Sequence, residues 1–135
     1  MEKIRFFDKD GIADELFRFA VIVARSEGKW VYVRHRERDT YEIPGGHREA
    51  GESIDETARR ELYEETGAVG FTLTPVCAYA IDNFGMLYYA EINEFEPELH
   101  FEIAEVIVSD ELPQSWTYPT AHPHIVAEVV RRGYV

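Results

Sequence analysis

The segment "SIDETARRELYEETGA", residues 53 to 68, constrains the fold more than any other because it reads as one helix with both ends marked. Ser53 followed three positions later by Glu56 is a capping-box signature, and Gly67 suits the left-handed residue that closes a helix. The spacing therefore predicts a helix over about 54–66. Ile54, Ala58 and Leu62 recur every four residues and give it an apolar stripe, which must pack on another element. Its polar side then faces a cleft or water.

That other element is a sheet. "LFRFAVIVAR" (16–25) and "WVYVRHR" (30–36) are rich in β-branched and aromatic residues, and "SEGK" between them supplies turn chemistry, which predicts a hairpin. Trp30, Tyr32, Arg34 and Arg36 alternate onto one face of its second strand. "FTLTPVCAYAI" (71–81) and "MLYYAEI" (86–92) flank "DNFG" as a second hairpin, and "EIAEVIV" (102–108) reads as a further strand. "HPHIVAEVVRRG" (122–133) reads as a closing amphipathic helix, with Pro123 in its first turn and Gly133 at its end. Strands, helix, strands and helix in that order predict an α+β fold with a mixed β-sheet and helices packed against it, as a single domain over residues 1–135.

The polar side of the first helix breaks local rules. Arg60 is spaced to pair with Glu56 and Glu64, which makes it a holder for Glu64. Glu61 and Glu65 are also four apart, but the spacing gives that pair no cation on its face, so it repels by about 0.2–0.5 kcal/mol. Glu64 and Glu65 occupy the last turn, where exposed carbonyls penalise each carboxylate by about 0.3–1 kcal/mol. An acidic run of this kind is commonly a solvated surface. A divalent cation would instead resolve the conflict, since two carboxylates one turn apart can both offer hard oxygen ligands to Mg²⁺ or Mn²⁺. The "PGG" loop at 44–46 could add a carbonyl.

Composition narrows the partners. A net charge of −12 lacks the basic footprint that a polymeric nucleic acid needs, so none is expected as a partner, while a small phosphate ester remains bindable where a cation reverses the local field. Cys77 is the only cysteine, which excludes an intramolecular disulfide and favours a reducing, cytoplasmic setting. The longest apolar stretches fall far short of the roughly 20 residues needed to span a bilayer, and no membrane partner is expected.

Read as one string, Gly46, five residues, Glu52, seven residues and "RELYEETGA" resemble the Nudix hydrolase signature, G-x5-E-x7-R-E-U-x-E-E-x-G-U, where U is a bulky aliphatic residue. Gly46, Glu52, Arg60, Glu61, Glu64, Glu65 and Gly67 match every fixed position, and Leu62 matches the first aliphatic. Ala68, at the last one, is smaller than the family usually has, which concerns packing more than catalysis.

The resemblance implies an α/β/α sandwich and metal-assisted attack of water on a P–O–P bridge joining a nucleoside diphosphate to another moiety. It implies Glu61 and Glu65 as principal metal ligands, Glu64 as a further ligand directly or through water, and the Gly45 carbonyl completing the sphere around Mg²⁺ or Mn²⁺. Glu52 would orient the loop or assist the base, and Arg60 would orient Glu64. Among Glu96, Glu98, Glu102 and Glu105, Glu102 is the first choice for the residue that takes the water's proton.

Arg34, Arg36, Arg38, His47 and Arg48 lie close enough in sequence to the loop to contact phosphates, with plain surface charge as the alternative. Phe84, Tyr88, Trp116 and Tyr118 are candidates for stacking on a base, and His35, His122 and His124 are expected to be structural or solvent-facing. The expected substrate is a nucleoside triphosphate, an oxidised purine nucleotide among the candidates. ADP-ribose or a nucleotide sugar is the alternative, lowered because "CAYAIDNFGML" lacks the proline that ADP-ribose-specific relatives often carry about fifteen residues after the signature. A non-catalytic nucleotide-binding regulator is the third reading, disfavoured because every signature glutamate is present.

Overall fold

Helix α1, Ile54–Thr66, begins and ends where its caps dictate. The Ser53 hydroxyl accepts from Glu56 N–H while the Glu56 carboxylate accepts from Ser53 N–H, and Gly67 closes the helix at φ 77° with its N–H donated to the Tyr63 carbonyl. Ile54, Ala58 and Leu62 are 4%, 0% and 0% exposed, so the predicted stripe is the buried face. Truncating Leu62 to alanine at such a site costs about 2–5 kcal/mol.

The computed structural model describes residues 3–97 and 103–135. Strands β1 (Arg5–Phe7), β2 (Phe17–Ser26), β3 (Lys29–His35), β4 (Gly45–His47), β5 (Ala68–Ile81), β6 (Asn83–Phe95) and β7 (Ile103–Ser109) form one sheet, and α2 (His122–Arg131) closes the fold. The strand order is β1-β5-β6-β2-β3-β7, with β4 attached to β2. Among the described residues only β2 and β6 pair as parallel strands, which makes the sheet mixed as expected.

Both predicted hairpins are present. Glu27 at φ 52° and Gly28 at φ 75° turn β2 into β3, because a two-residue turn with both φ values positive matches the twist of the strands it joins. Asp82 at φ 65° turns β5 into β6, and both of those strands run longer than the sequence pattern suggested. Arg36 falls just beyond the end of β3.

Alternation along β2 divides the core into two layers. Ala20, Ile22 and Ala24 face α1 together with Met86, Tyr88, Ala90 and Ile92 of β6. Val21 and Val23 face the other way, with Leu87 and Tyr89, against Ile125, Val126 and Val129 of α2. A register shift between Phe17 and Phe19 breaks this parity, so that Phe17 joins the α1 layer and Phe19 the α2 layer. The result is an α/β/α sandwich.

One feature was not anticipated. The "PGG" loop enters the sheet: β2 pairs with β3 only from Ala24 to Ser26, and where the two diverge, residues 42–47 fill the fork. Glu42 exchanges backbone bonds with Val33, the Pro44 carbonyl accepts from Ile22 N–H at 2.9 Å, and Gly45 lies opposite Val21. Glycine is required at this strand because a Cβ on Gly45 would stand 2.5 Å from the Ala20 carbonyl oxygen.

Candidate active site

Arg60 is the hub of the polar face of α1. Its Nε and Nη2 donate to Glu52 at 2.5 and 3.0 Å, Nη1 donates to Glu61 at 2.7 Å and to Glu64 at 3.3 Å, and Nη2 also reaches the His47 carbonyl at 3.0 Å. The expected Arg60–Glu64 pair is present, though Arg60 holds Glu52 and Glu61 more closely. One expectation is corrected: Glu61 does have a cation beside it, because the guanidinium reaches across a neighbouring position that a four-residue rule ignores. Glu56 is occupied by the cap at Ser53.

Glu52 fixes the loop to the helix. Besides Arg60 it accepts from Thr57 Oγ1 and from Glu49 N–H, both at 2.9 Å, and these bonds, the Arg60 contact foremost, hold its carboxyl at about 2. Both of its oxygens are thus engaged.

On α1 the carboxylates most withdrawn from solvent are Glu65, which is buried, and Glu61, which is nearly so. Glu61 is pushed up to about 7, chiefly by burial, with Glu65 and Glu64 adding repulsion and Arg60 opposing it. Glu65 is also raised by burial, against the pull of His35 and of the Gly45 N–H, which donates to its Oε1 at 2.9 Å. His35 Nε2 lies 3.2 Å from both Glu65 Oε2 and Glu42 Oε1, aligned for a hydrogen bond with neither, and the Glu65 carboxylate raises its pKa. Arg38 completes the chain at 3.4 Å from Glu42 Oε2.

Beside Glu65 a cavity of about 470 Å³ reaches α2, lined by Phe19, Tyr79, Tyr118 and His122 together with Gly45, Gly46 and His47. The Phe19 and Tyr79 rings are 5.6 Å apart, and Phe19 meets His47 edge to face at 6.0 Å.

The donor chemistry fits a hard cation. Glu65 accepts from Gly45 N–H and Glu61 lies against Gly46 at the start of β4, with Glu64 beside Glu61 on Arg60, and Gly46 carries no Cβ where one would stand 2.4 Å from the Glu61 carboxyl carbon. Among the described residues no three histidine, cysteine, aspartate or glutamate side chains already converge as ligands, because Arg60 holds Glu61 and Glu64 while Gly45 and His35 hold Glu65.

The remaining sequence candidates separate. His47 and Arg38 reach the cavity. Arg34 donates to Glu105 at 2.7 Å and to the Arg38 carbonyl at 2.9 Å, and Arg36 is exposed outside the cavity wall. Arg48 is spent on the loop, donating to the Asp14, Phe17 and Glu52 carbonyls and to Asp14 Oδ2. Glu96 accepts from Tyr63 at 2.9 Å. Glu98 and Glu102 lie outside the described residues.

For stacking, Tyr118 lines the cavity and Trp116 stands edge-on to His122, whereas Phe84 and Tyr88 belong to the α1 layer. Tyr88 is fully buried, with its hydroxyl donated to Asp55, because even-numbered residues of β6 face α1. His122 is structural in part, as expected; His35 was missed. Alternation could have found it, since His35 shares the parity of the buried Val31 and Val33 rather than of Arg34.

Among the described residues no helix is long and apolar enough to cross a membrane. Residues 16–126 match the NUDIX domain family. The chain is 33% identical over 100 residues to the Bacillus subtilis protein YtkD, provisionally named an 8-oxo-dGTP diphosphatase, covering 70% of this chain and 63% of that one. It is 33% identical over 109 residues to an ADP-ribose pyrophosphatase of the same organism, covering 69% and 59%. It thus spans about six-tenths of the length of these curated relatives. The fold superposes on a crystal structure of a single-residue mutant of the Bacillus subtilis pyrophosphohydrolase BsRppH with a TM-score of 0.80 at 24% identity, covering 98% of this chain and 92% of that one. A NUDIX hydrolase from Nitrosomonas europaea gives 0.65 at 21%, with 84% and 88% covered. By the matched region, the shared sandwich and the complete glutamate array on α1, the chain belongs to the NUDIX domain family.

Proposed function

We propose that this protein is a metal-dependent pyrophosphohydrolase that cleaves the P–O–P bridge of a nucleoside triphosphate, or of a related nucleoside diphosphate derivative. The observation that carries the reading is the junction of two features: a buried, clamped carboxylate array on α1, and an aromatic-walled cavity that begins at Glu65.

Glu61 and Glu65, with Glu64 and the Gly45 carbonyl, would hold Mg²⁺ or Mn²⁺, trading part of their contact with Arg60 and His35 for it. Such an ion supplies charge neutralisation of the pyrophosphate and a lowered pKa for a bound water. The chain's own residues do the rest. Glu52 and Arg60 fix the loop against the helix, strand β4 at Gly45 and Gly46 brings backbone next to Glu65 and Glu61, and His47 and Arg38 line the cavity that phosphate or sugar would enter. Phe19, Tyr79 and Tyr118 exclude water around the base. Glu102 is the proposed acceptor of the water's proton.

One sheet shared by both core layers supports a single domain over residues 1–135. The net charge of −12 supports a small nucleotide rather than a polymer as partner, and the single cysteine supports a cytoplasmic setting.

The test is a mixed nucleotide library incubated with Mg²⁺ or Mn²⁺ and followed by mass spectrometry, with Glu65→Gln as the blank. Nucleoside monophosphate plus pyrophosphate is the expected product from a triphosphate. Cleavage confined to ADP-ribose or nucleotide sugars would favour the alternative that the ADP-ribose pyrophosphatase relative keeps open. Tight nucleotide binding without metal-dependent cleavage would make the protein a regulator and overturn the reading.

A further inference from the structure

His122, the first residue of α2, lines the same cavity as Glu65. Ile43 N–H donates to its Nδ1 at 3.2 Å. A ring nitrogen that accepts carries no proton, so the neutral imidazole bears its hydrogen on Nε2. Burial keeps the ring neutral, with its pKa down at about 4. Trp116, edge-on at 6.3 Å, and Tyr118 at 5.1 Å hold the ring's orientation.

The Nε2–H donor is unused. Among the described residues nothing accepts from it, and unlike His35 Nε2 it is not an inaccessible atom. A residue 8% exposed that lines a cavity and keeps one unpaired donor has that donor available to whatever fills the cavity. Arg38, in the same lining, is also a donor only, while the carboxylates of that lining are already engaged, Glu42 by Arg38 and His35 and Glu65 by Gly45 N–H and His35.

We propose that His122 is a specificity-determining residue whose Nε2–H reads a carbonyl oxygen of the nucleobase, so that the cavity selects a 6-oxo purine over a 6-amino purine. The proposal rests on the nucleotide reading above. A 6-oxo purine offers acceptors at O6 and N7 along one edge, whereas a 6-amino purine sets its own N–H against the donors. Leaving a buried donor opposed in this way lowers affinity for the wrong base by about tenfold or more.

ITP and ATP make the comparison, since they differ at the C6 substituent and the adjoining N1 proton. Wild-type protein is expected to favour ITP by about tenfold or more in kcat/KM, and IMP over AMP by a similar ratio in metal-free binding. His122→Asn is the informative variant: its Oδ1 can still accept from Ile43 N–H, but nothing occupies the Nε2 position. It should bring both ratios to within about twofold while the melting temperature and Mn²⁺ affinity stay near wild type. Nitrogen-15 NMR of the wild-type imidazole should show Nε2 protonated at pH 7 and shifted by IMP but not by AMP, which decides the matter even where the variant folds poorly. Failure of all hydrolysis with a surviving IMP preference would sink only the catalytic reading. Equal IMP and AMP binding by wild type, or a preference retained in a folded His122→Asn, overturns the proposal.

Discussion

Gly46→Ala separates the chemistry of the site from the stability of the fold. A Cβ at Gly46 would lie 2.4 Å from the Glu61 carboxyl carbon and 2.5 and 2.6 Å from its two oxygens, where ordinary contact begins at 3.4 Å. The Glu61 carboxylate must therefore retreat by about 1 Å, a misplacement that costs on the order of 10²-fold in rate when it concerns a reacting centre. It also loses its place beside Arg60 Nη1. The backbone pays little, because Gly46 is not in a left-handed conformation. Alanine restricts the unfolded chain by about 0.4–1 kcal/mol, and the strained Glu61 rotamer takes back about 0.5–1.5 kcal/mol. Net stability should stay within about 1 kcal/mol and the melting temperature within about 5 °C.

Gly45→Ala is the control, since its Cβ would meet Ala20 O at 2.5 Å and Val21 Cα at 3.0 Å, backbone atoms of β2 that have nowhere to go. It should lose about 1–3 kcal/mol of stability. Steady-state turnover of the best nucleotide, Mn²⁺ titration and thermal melts in chelator complete the comparison. A Gly46→Ala protein that keeps turnover and Mn²⁺ affinity within threefold of wild type, or that melts as early as Gly45→Ala, would refute the reasoning.

Acid should loosen α2 through His122. Its folded pKa of about 4 lies below the unfolded 6.5, so the unfolded chain binds the extra proton first. The contribution is fully present above pH 6.5 and is lost by about 1.4 kcal/mol per unit toward pH 4. Urea midpoints at pH 7.5, 6 and 5 should fall more steeply for wild type than for His122→Asn, and parallel slopes would count against it. Arg48→Ala should unfold about 2–3 kcal/mol more easily, because four acceptors around Asp14, Phe17 and Glu52 lose their donor. KM should not move; a tenfold rise in KM at unchanged stability would return Arg48 to the substrate.

What could be read from the chain alone was what local physics determines. Ser53, Glu56 and Gly67 marked the ends of α1, and the period of Ile54, Ala58 and Leu62 marked its inner face, because both depend on residues within a turn or two. The turns at Glu27–Gly28 and Asp82 were legible for the same reason. The entry of residues 42–47 into the sheet was not, since consecutive glycines read as a breaker and the need for them arises from Ala20 and Glu61, both far away in sequence. His35 joined the site through a carboxylate thirty residues later, and the base candidates Phe84 and Tyr88 were misplaced because the direction of β6 relative to α1 is a property of the tertiary fold. Glu61 escaped the isolation that helix spacing gave it only because Arg60 could bend toward its neighbour.

The bond from Gly45 N–H to Glu65 also provides a reporter. Most amides of the sheet have another strand as acceptor, but this one depends on the side chain proposed as a metal ligand. Its resonance and its rate of solvent exchange should therefore follow the carboxylate, quiet while Glu65 leans on the turn and altered once Glu65 is drawn elsewhere. A spectroscopist could watch a single glycine peak to see the protein being armed.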